Sequence, residues 1–160
     1  MLKLRKNKKG FTLVELIVVI AIMAVLAGVV AGVTVSQLNK QTNKTGSAQA
    51  KTVADYISTV ALTGENDDDP TTVNIIDGDK FNDTTLPQLI REQYSASSTQ
   101  ITFVTTPTTP AAGKINVYFS DANKTLVIVE FKEKGAGGKS IKYSVSYQGV
   151  VAKVEETTGG

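Results

Sequence analysis

The sequence predicts an α+β fold: a long N-terminal α-helix, hydrophobic in its first half and amphipathic in its second, packed on an antiparallel β-sheet. Three observations carry this. No charged side chain occurs from Leu16 to Asn39. Ala50, Val53, Ala54, Ile57, Val60 and Ala61 then recur at three- and four-residue steps, the period of one helix face. From Ile101 onward, short β-prone runs alternate with turn residues.

The chain opens on Lys3, Arg5, Lys6, Lys8 and Lys9, with no acid before Glu15. Leu16–Val35 follows, apolar apart from Gly28, Gly32 and Thr34. As a helix at ~1.5 Å per residue it reaches ~30 Å, the thickness of a bilayer hydrocarbon core. Leu, Ile, Val and Ala occupy every face, so lipid or other copies of the segment must surround it. The basic cluster is expected to stay on the cytoplasmic side.

Three readings compete for this start. A secretory signal peptide would be cut after Val25-Leu26-Ala27, before Gly28. A plain signal anchor would not be cut. In the third, cleavage precedes the apolar run. Glu15 separates them, because a carboxylate one turn into an apolar run is costly in lipid and marks a functional site by default. Neither of the first two readings needs it.

Lys8-Lys9-Gly10-Phe11-Thr12-Leu13-Val14-Glu15-Leu16 resembles the cleavage and methylation motif of type IV prepilins and pseudopilins. The match combines a basic leader, Gly before the cut, Phe after it, Glu four positions on, and a long apolar run. It covers the first quarter of the chain. The resemblance implies a cleaved leader over residues 1–10, a membrane and filament-core helix over 11–35, and a globular pilin unit over 36–160. It also implies that a prepilin peptidase cuts between Gly10 and Phe11 and that Phe11 is N-methylated.

A physical role for Glu15 follows from such a cut. Cleavage creates an α-amine on Phe11, and Phe11 and Glu15 are i and i+4 on a helix. An incoming subunit's Glu15 can pair with the amine of a subunit already in the filament. An unpaired buried carboxylate is far costlier than a paired one, so the pair sets register, as buried polar groups do elsewhere.

Two departures from the family pattern stand out. Many members carry a proline within the apolar run; here Gly28 and Gly32 occur instead. Their G-x-x-x-G spacing suggests local unwinding or close helix packing, against the plain frequency of glycine in membrane helices. Many pilins of double-membraned bacteria close a C-terminal loop with a disulfide, and this chain has no cysteine. That favours a single-membraned source.

Ser36 to about Leu62 reads as the amphipathic continuation of the helix, with Asn39–Thr45 and Gly46 as a flexible or exposed stretch and Gly64 as its C-terminal cap. Glu65-Asn66-Asp67-Asp68-Asp69-Pro70 is a dense acidic loop. Asp67, Asp68 and Asp69 are a weak calcium candidate, because hard cations take clustered oxygens. The loop lacks the EF-hand spacing and glycine, and a solvated connection is the simpler reading. Val73–Ile76 reads as a short strand ending at Asp77-Gly78, and Thr85 as a helix start with Leu86, Leu89, Ile90 and Tyr94 on one side.

Strands are expected near Ile101–Thr105, Ile115–Ser120 and Leu126–Phe131, with a tight connection over residues 121–124. Lys134–Lys139 is the next turn. Ile141, Tyr143, Val145 and Tyr147 alternate with polar residues, as in a strand with one wet face. Val150–Val154 adds a last strand, completing an antiparallel meander. Thr105–Ala112, with Pro107 and Pro110, reads as an exposed loop, glycosylation being the alternative.

Composition removes whole function classes. The 160 residues contain no His and no Cys, so Ser–His–Asp and Cys–His catalysis and thiolate metal sites are excluded. The net charge of +2 is carried by the leader; without it, the acids outnumber the bases. An acidic body argues against nucleic acid as a primary ligand. The expected function is a structural filament subunit, not an enzyme, with no cofactor. Its alternatives are a pseudopilin of a type II secretion or DNA-uptake system and, outside the family, a secreted or membrane-anchored binding module. The resemblance implies self-association, a pilus assembly platform protein and an ATPase as partners. It also implies passage from the cytoplasmic membrane to an extracellular surface filament, serving adhesion or motility.

Overall fold

The computed structural model describes residues 10–64, 74–95 and 100–154. Two compact units, Met1–Leu38 and Asn39–Gly160, divide within the first helix, α1, Leu13–Gly64. In the first unit the described residues are helical from Leu13 and exposed throughout. The sheet belongs to the second unit.

There the helical stripe is the core. Ala50, Val53, Ala54, Ile57 and Ala61 are buried, with Val60 packed beside them. They meet Ile115, Val117, Val127, Val129, Phe131 and Val145 of the sheet. Removing a side chain such as Ile57 from water contributes about 1.5–3 kcal/mol. Small alanines let the helix lie close to the sheet, and the β-branched residues opposite fill a pleated surface.

Asn39–Gly46 is helical, with Lys40, Gln41, Lys44 and Thr45 exposed as expected and Gly46, against expectation, packed inside. Gly46 is buried, and a Cβ there would lie 2.2 Å from the Phe131 ring. It is a close-approach glycine. Three residues earlier, the Asn43 amide donates to the Lys134 carbonyl at 3.0 Å and accepts from the Lys134 N–H at 2.8 Å. The polar run is therefore a docking segment. Gly64 is the last residue of the helix.

The five strands run in sequence order across one sheet: β1 Ile101–Phe103, β2 Ile115–Phe119, β3 Leu126–Lys132, β4 Ser140–Ser146 and β5 Val151–Val154. β2 to β5 pair antiparallel, with Val117 opposite Val129, Glu130 opposite Lys142 and Val145 opposite Val151. β1 breaks the expected meander by pairing parallel with β2, Ile101 opposite Ile115. Parallel neighbours need a crossover, and residues 104–114 provide it. Pro110 is buried, and Asn116 donates to the Thr108 carbonyl at 2.9 Å. The Thr/Pro-rich segment is exposed as expected apart from Pro110, and it also serves as the crossover.

Two turns behave as read. Lys124 takes φ +58°, with Asp121 accepting from the Thr125 N–H and hydroxyl. Gly135 and Gly137 supply positive φ between β3 and β4. The expected strand at Val73–Ile76 is instead a single bridge, Ile76 to Phe81, around Gly78 at φ +63°; Val73 lies outside the described residues. The second helix, α2, Thr85–Gln93, starts where the sequence placed it. Asn82 caps it by accepting from the N–H groups of Thr84 and Thr85, and Pro87 falls in the first turn, where no donor is needed.

Candidate functional site

Gly10, Phe11 and Thr12 precede the helix, and Phe11 is 87% exposed. Accessible, non-helical backbone of this kind is what a peptidase can grip. Thr12 is the helix N-cap. Its carbonyl accepts from the Leu16 N–H at 3.3 Å, and its hydroxyl accepts from the Glu15 N–H at 3.3 Å. Glu15 reaches back: its Oε2 accepts from the Thr12 N–H at 2.8 Å and from the Thr12 hydroxyl at 2.9 Å. This is a reciprocal capping box, worth about 1 kcal/mol to the helix start. It was written in Thr12-x-x-Glu15, a signal the sequence reading did not use. It holds the Glu15 carboxylate at the helix start, one turn from Phe11.

Beyond Glu15, Leu16, Ile17, Val18, Val19, Ile20, Ile22 and the rest of the apolar run are exposed in this chain. By length and composition, the helix is sufficient to cross a membrane. A continuous apolar surface of this size on an ordinary soluble monomer would be anomalous. In the single chain the helix runs unbroken through Gly28 and Gly32. A Cβ at either glycine would meet nothing within 4 Å, so the space they leave faces outward from the chain. The Thr34 hydroxyl satisfies itself on the Val30 carbonyl at 2.8 Å.

A second unusual group lies in the sheet unit. Glu130 is only 2% exposed. Val127, Val129 and Phe131 face the helix; strand alternation puts Ile128 and Glu130 on the opposite face, with Asn116 and Lys142 as the flanking register partners of Glu130. Its Oε2 accepts from the Tyr118 hydroxyl at 2.8 Å. Its Oε1 lies 3.8 Å from Lys142 Nζ and has no hydrogen-bond partner among the described residues. Burial, followed by the bond to Glu130, pushes the Tyr118 phenol well above its ordinary pKa. The signal for this group was a lone acid inside Leu126–Phe131, and it too went unread.

The structure thus brings Gly10, Phe11 and Glu15 together at one helix start. Asp67, Asp68 and Asp69 lie outside the described residues, as do residues 1–9 of the leader. Among the described residues, no group of three or more His, Cys, Asp or Glu side chains could hold a metal ion.

A family model described as the prokaryotic N-terminal methylation motif matches residues 5–31. That span contains Gly10, Phe11, Glu15 and most of the apolar run. Comparison with curated proteins and with solved structures gives no match. The N-terminus therefore carries the class III signal of type IV pilins and pseudopilins.

Proposed function

We propose that this chain, carrying a class III signal ahead of an exposed apolar helix, is the structural subunit of a type IV pilus. In this reading a prepilin peptidase cuts after Gly10 and N-methylates Phe11. The chain waits in the cytoplasmic membrane as a single-pass protein and is then polymerised into a surface filament. The helix over residues 11–35 forms the filament core, and residues 36–160 form the exposed pilin unit. The subunit has no catalytic activity and needs no cofactor. A platform protein and an ATPase drive assembly.

One observation carries the reading: an accessible Gly10–Phe11 bond stands one helical turn from a carboxylate, at the head of a fully exposed apolar helix. In the uncut chain Thr12 supports that carboxylate. A carboxylate has about four acceptor positions, so capacity remains for the α-amine of a neighbouring copy. In lipid an uncompensated acid is expensive, and pairing removes that cost, which favours transfer from membrane to filament.

Replacing Glu15 by Ala tests this. Processing at Gly10–Phe11 should persist while surface polymer is lost. Undiminished polymer would sink the pairing argument.

A further inference from the structure

We infer that the lysine-rich end of the sheet unit docks onto the acidic end of the sheet unit in a second copy of this chain. The inference rests on the filament reading above and names a contact that reading leaves open. Asn43 ties α1 to the β3–β4 turn at Lys134, Gly46 lies under Phe131, and the Gly113 N–H donates to the Lys132 carbonyl. These contacts gather Lys40, Lys44, Lys114, Lys132, Lys134 and Lys139 at one end of the strands. The acid among these turns, Glu133, has its carboxylate bonded to the Lys139 N–H at 3.1 Å.

The other end of the strands has the opposite sign. The Phe81 N–H donates to the Lys124 carbonyl, which sets the Ile76–Phe81 turn beside the β2–β3 turn. Asp77, Asp79, Asp83 and Asp121 collect there. Lys80 and Lys124 are engaged with Asp77 and Asp83. α1 finishes at this end, where Ser58 donates to the Gly149 carbonyl and Leu62 packs on Gly149.

The separation is set by the fold: seven-residue strands β3 and β4 at ~3.3 Å per residue hold the two ends ~20 Å apart, beyond the ~8 Å screening length of physiological salt. The two ends cannot neutralise each other within one chain. In a polar filament every copy points the same way, so contacts are head-to-tail, and unlike ends of successive copies can meet. Complementary charge of this kind selects register and partner more than raw affinity.

The test uses the full chain expressed in its host, with sheared surface polymer as the readout. Lys44→Glu with Lys139→Glu should lower polymer about tenfold, as like charges are brought together, with cleavage before Phe11 unchanged. Adding Asp77→Lys and Asp79→Lys to the same chain should restore polymer to within about threefold, since the swapped ends again attract. Should the Glu variant fail to accumulate, Lys44→Gln with Lys139→Gln replaces it, and its polymer should lose the salt sensitivity of the parent. Unchanged polymer in the lysine variants, or no rescue by the swap, overturns the inference while leaving the filament reading intact. Loss of the lysine variants from the membrane fraction before assembly would assign the lysines to anionic lipid headgroups and overturn it as well. Absence of polymer from the unaltered chain would bring down the filament reading and this inference with it.

Discussion

The two halves of α1 share one backbone geometry and have opposite chemistry. Beyond Glu15, Leu16–Leu38 is largely apolar and exposed on every side; Asn39–Gly64 shows a narrow stripe of alanine and β-branched residues that is buried in the core of the second unit, Val60 only in part. Glycine makes the contrast concrete. At Gly28 and Gly32 a side chain would meet nothing, whereas at Gly46 it would strike Phe131. The second half is finished within one chain, and the first is not. Its packing must come from outside, which is why its chemistry concerns assembly and that of the second half concerns stability.

The sharpest way to break this comparison is a pair of leucine substitutions. Gly46→Leu should destabilise the sheet unit by about 3 kcal/mol through overpacking, read as thermal unfolding of the full chain in detergent. Gly28→Leu should leave that transition where it is and act only on polymer yield. Equal effects on unfolding would mean the halves are not distinct.

Glu130→Ala comes next. It strips Tyr118 of its acceptor in a buried setting and should cost about 2 kcal/mol, with Glu130→Gln costing less because its amide oxygen still accepts. Asn43→Ala removes both bonds to Lys134 and should cost about 1 kcal/mol, exposing the β3–β4 turn to proteolysis. The smallest effect is alkaline. The folded pKa of Tyr118 is raised, so its contribution is complete below the unfolded value of ~10 and is lost as pH rises above it. Tyr118→Phe should flatten the fall in melting temperature above that pH. A fall of the same steepness in the variant would exonerate Tyr118.

The sequence made the helix and most of the sheet legible because period and burial coincide there. The 3.6-residue stripe from Ala50 to Ala61 and the alternation around Val145 each specify a face. What it hid depends on distant partners. Gly46 reads as part of a flexible or exposed stretch until Phe131, far along the chain, is seen above it. The parallel pairing of β1 cannot be read from its own three residues, because the crossover decides it. Glu130 and the Thr12–Glu15 box were visible in principle: one as an acid among apolar neighbours, the other as a capping pattern. At the candidate site, the resemblance to the prepilin motif singled out Gly10 and Phe11, and the cost of an acid in an apolar run singled out Glu15, but neither could show that Thr12 already holds the carboxylate.

The most direct test of the central claim is the N-terminus and intact mass of the protein purified from its host. The account predicts a chain that begins at Phe11 and carries one added methyl group. A chain beginning at Gly28 would show that an ordinary signal peptide had been removed along with most of the apolar helix, and would contradict it.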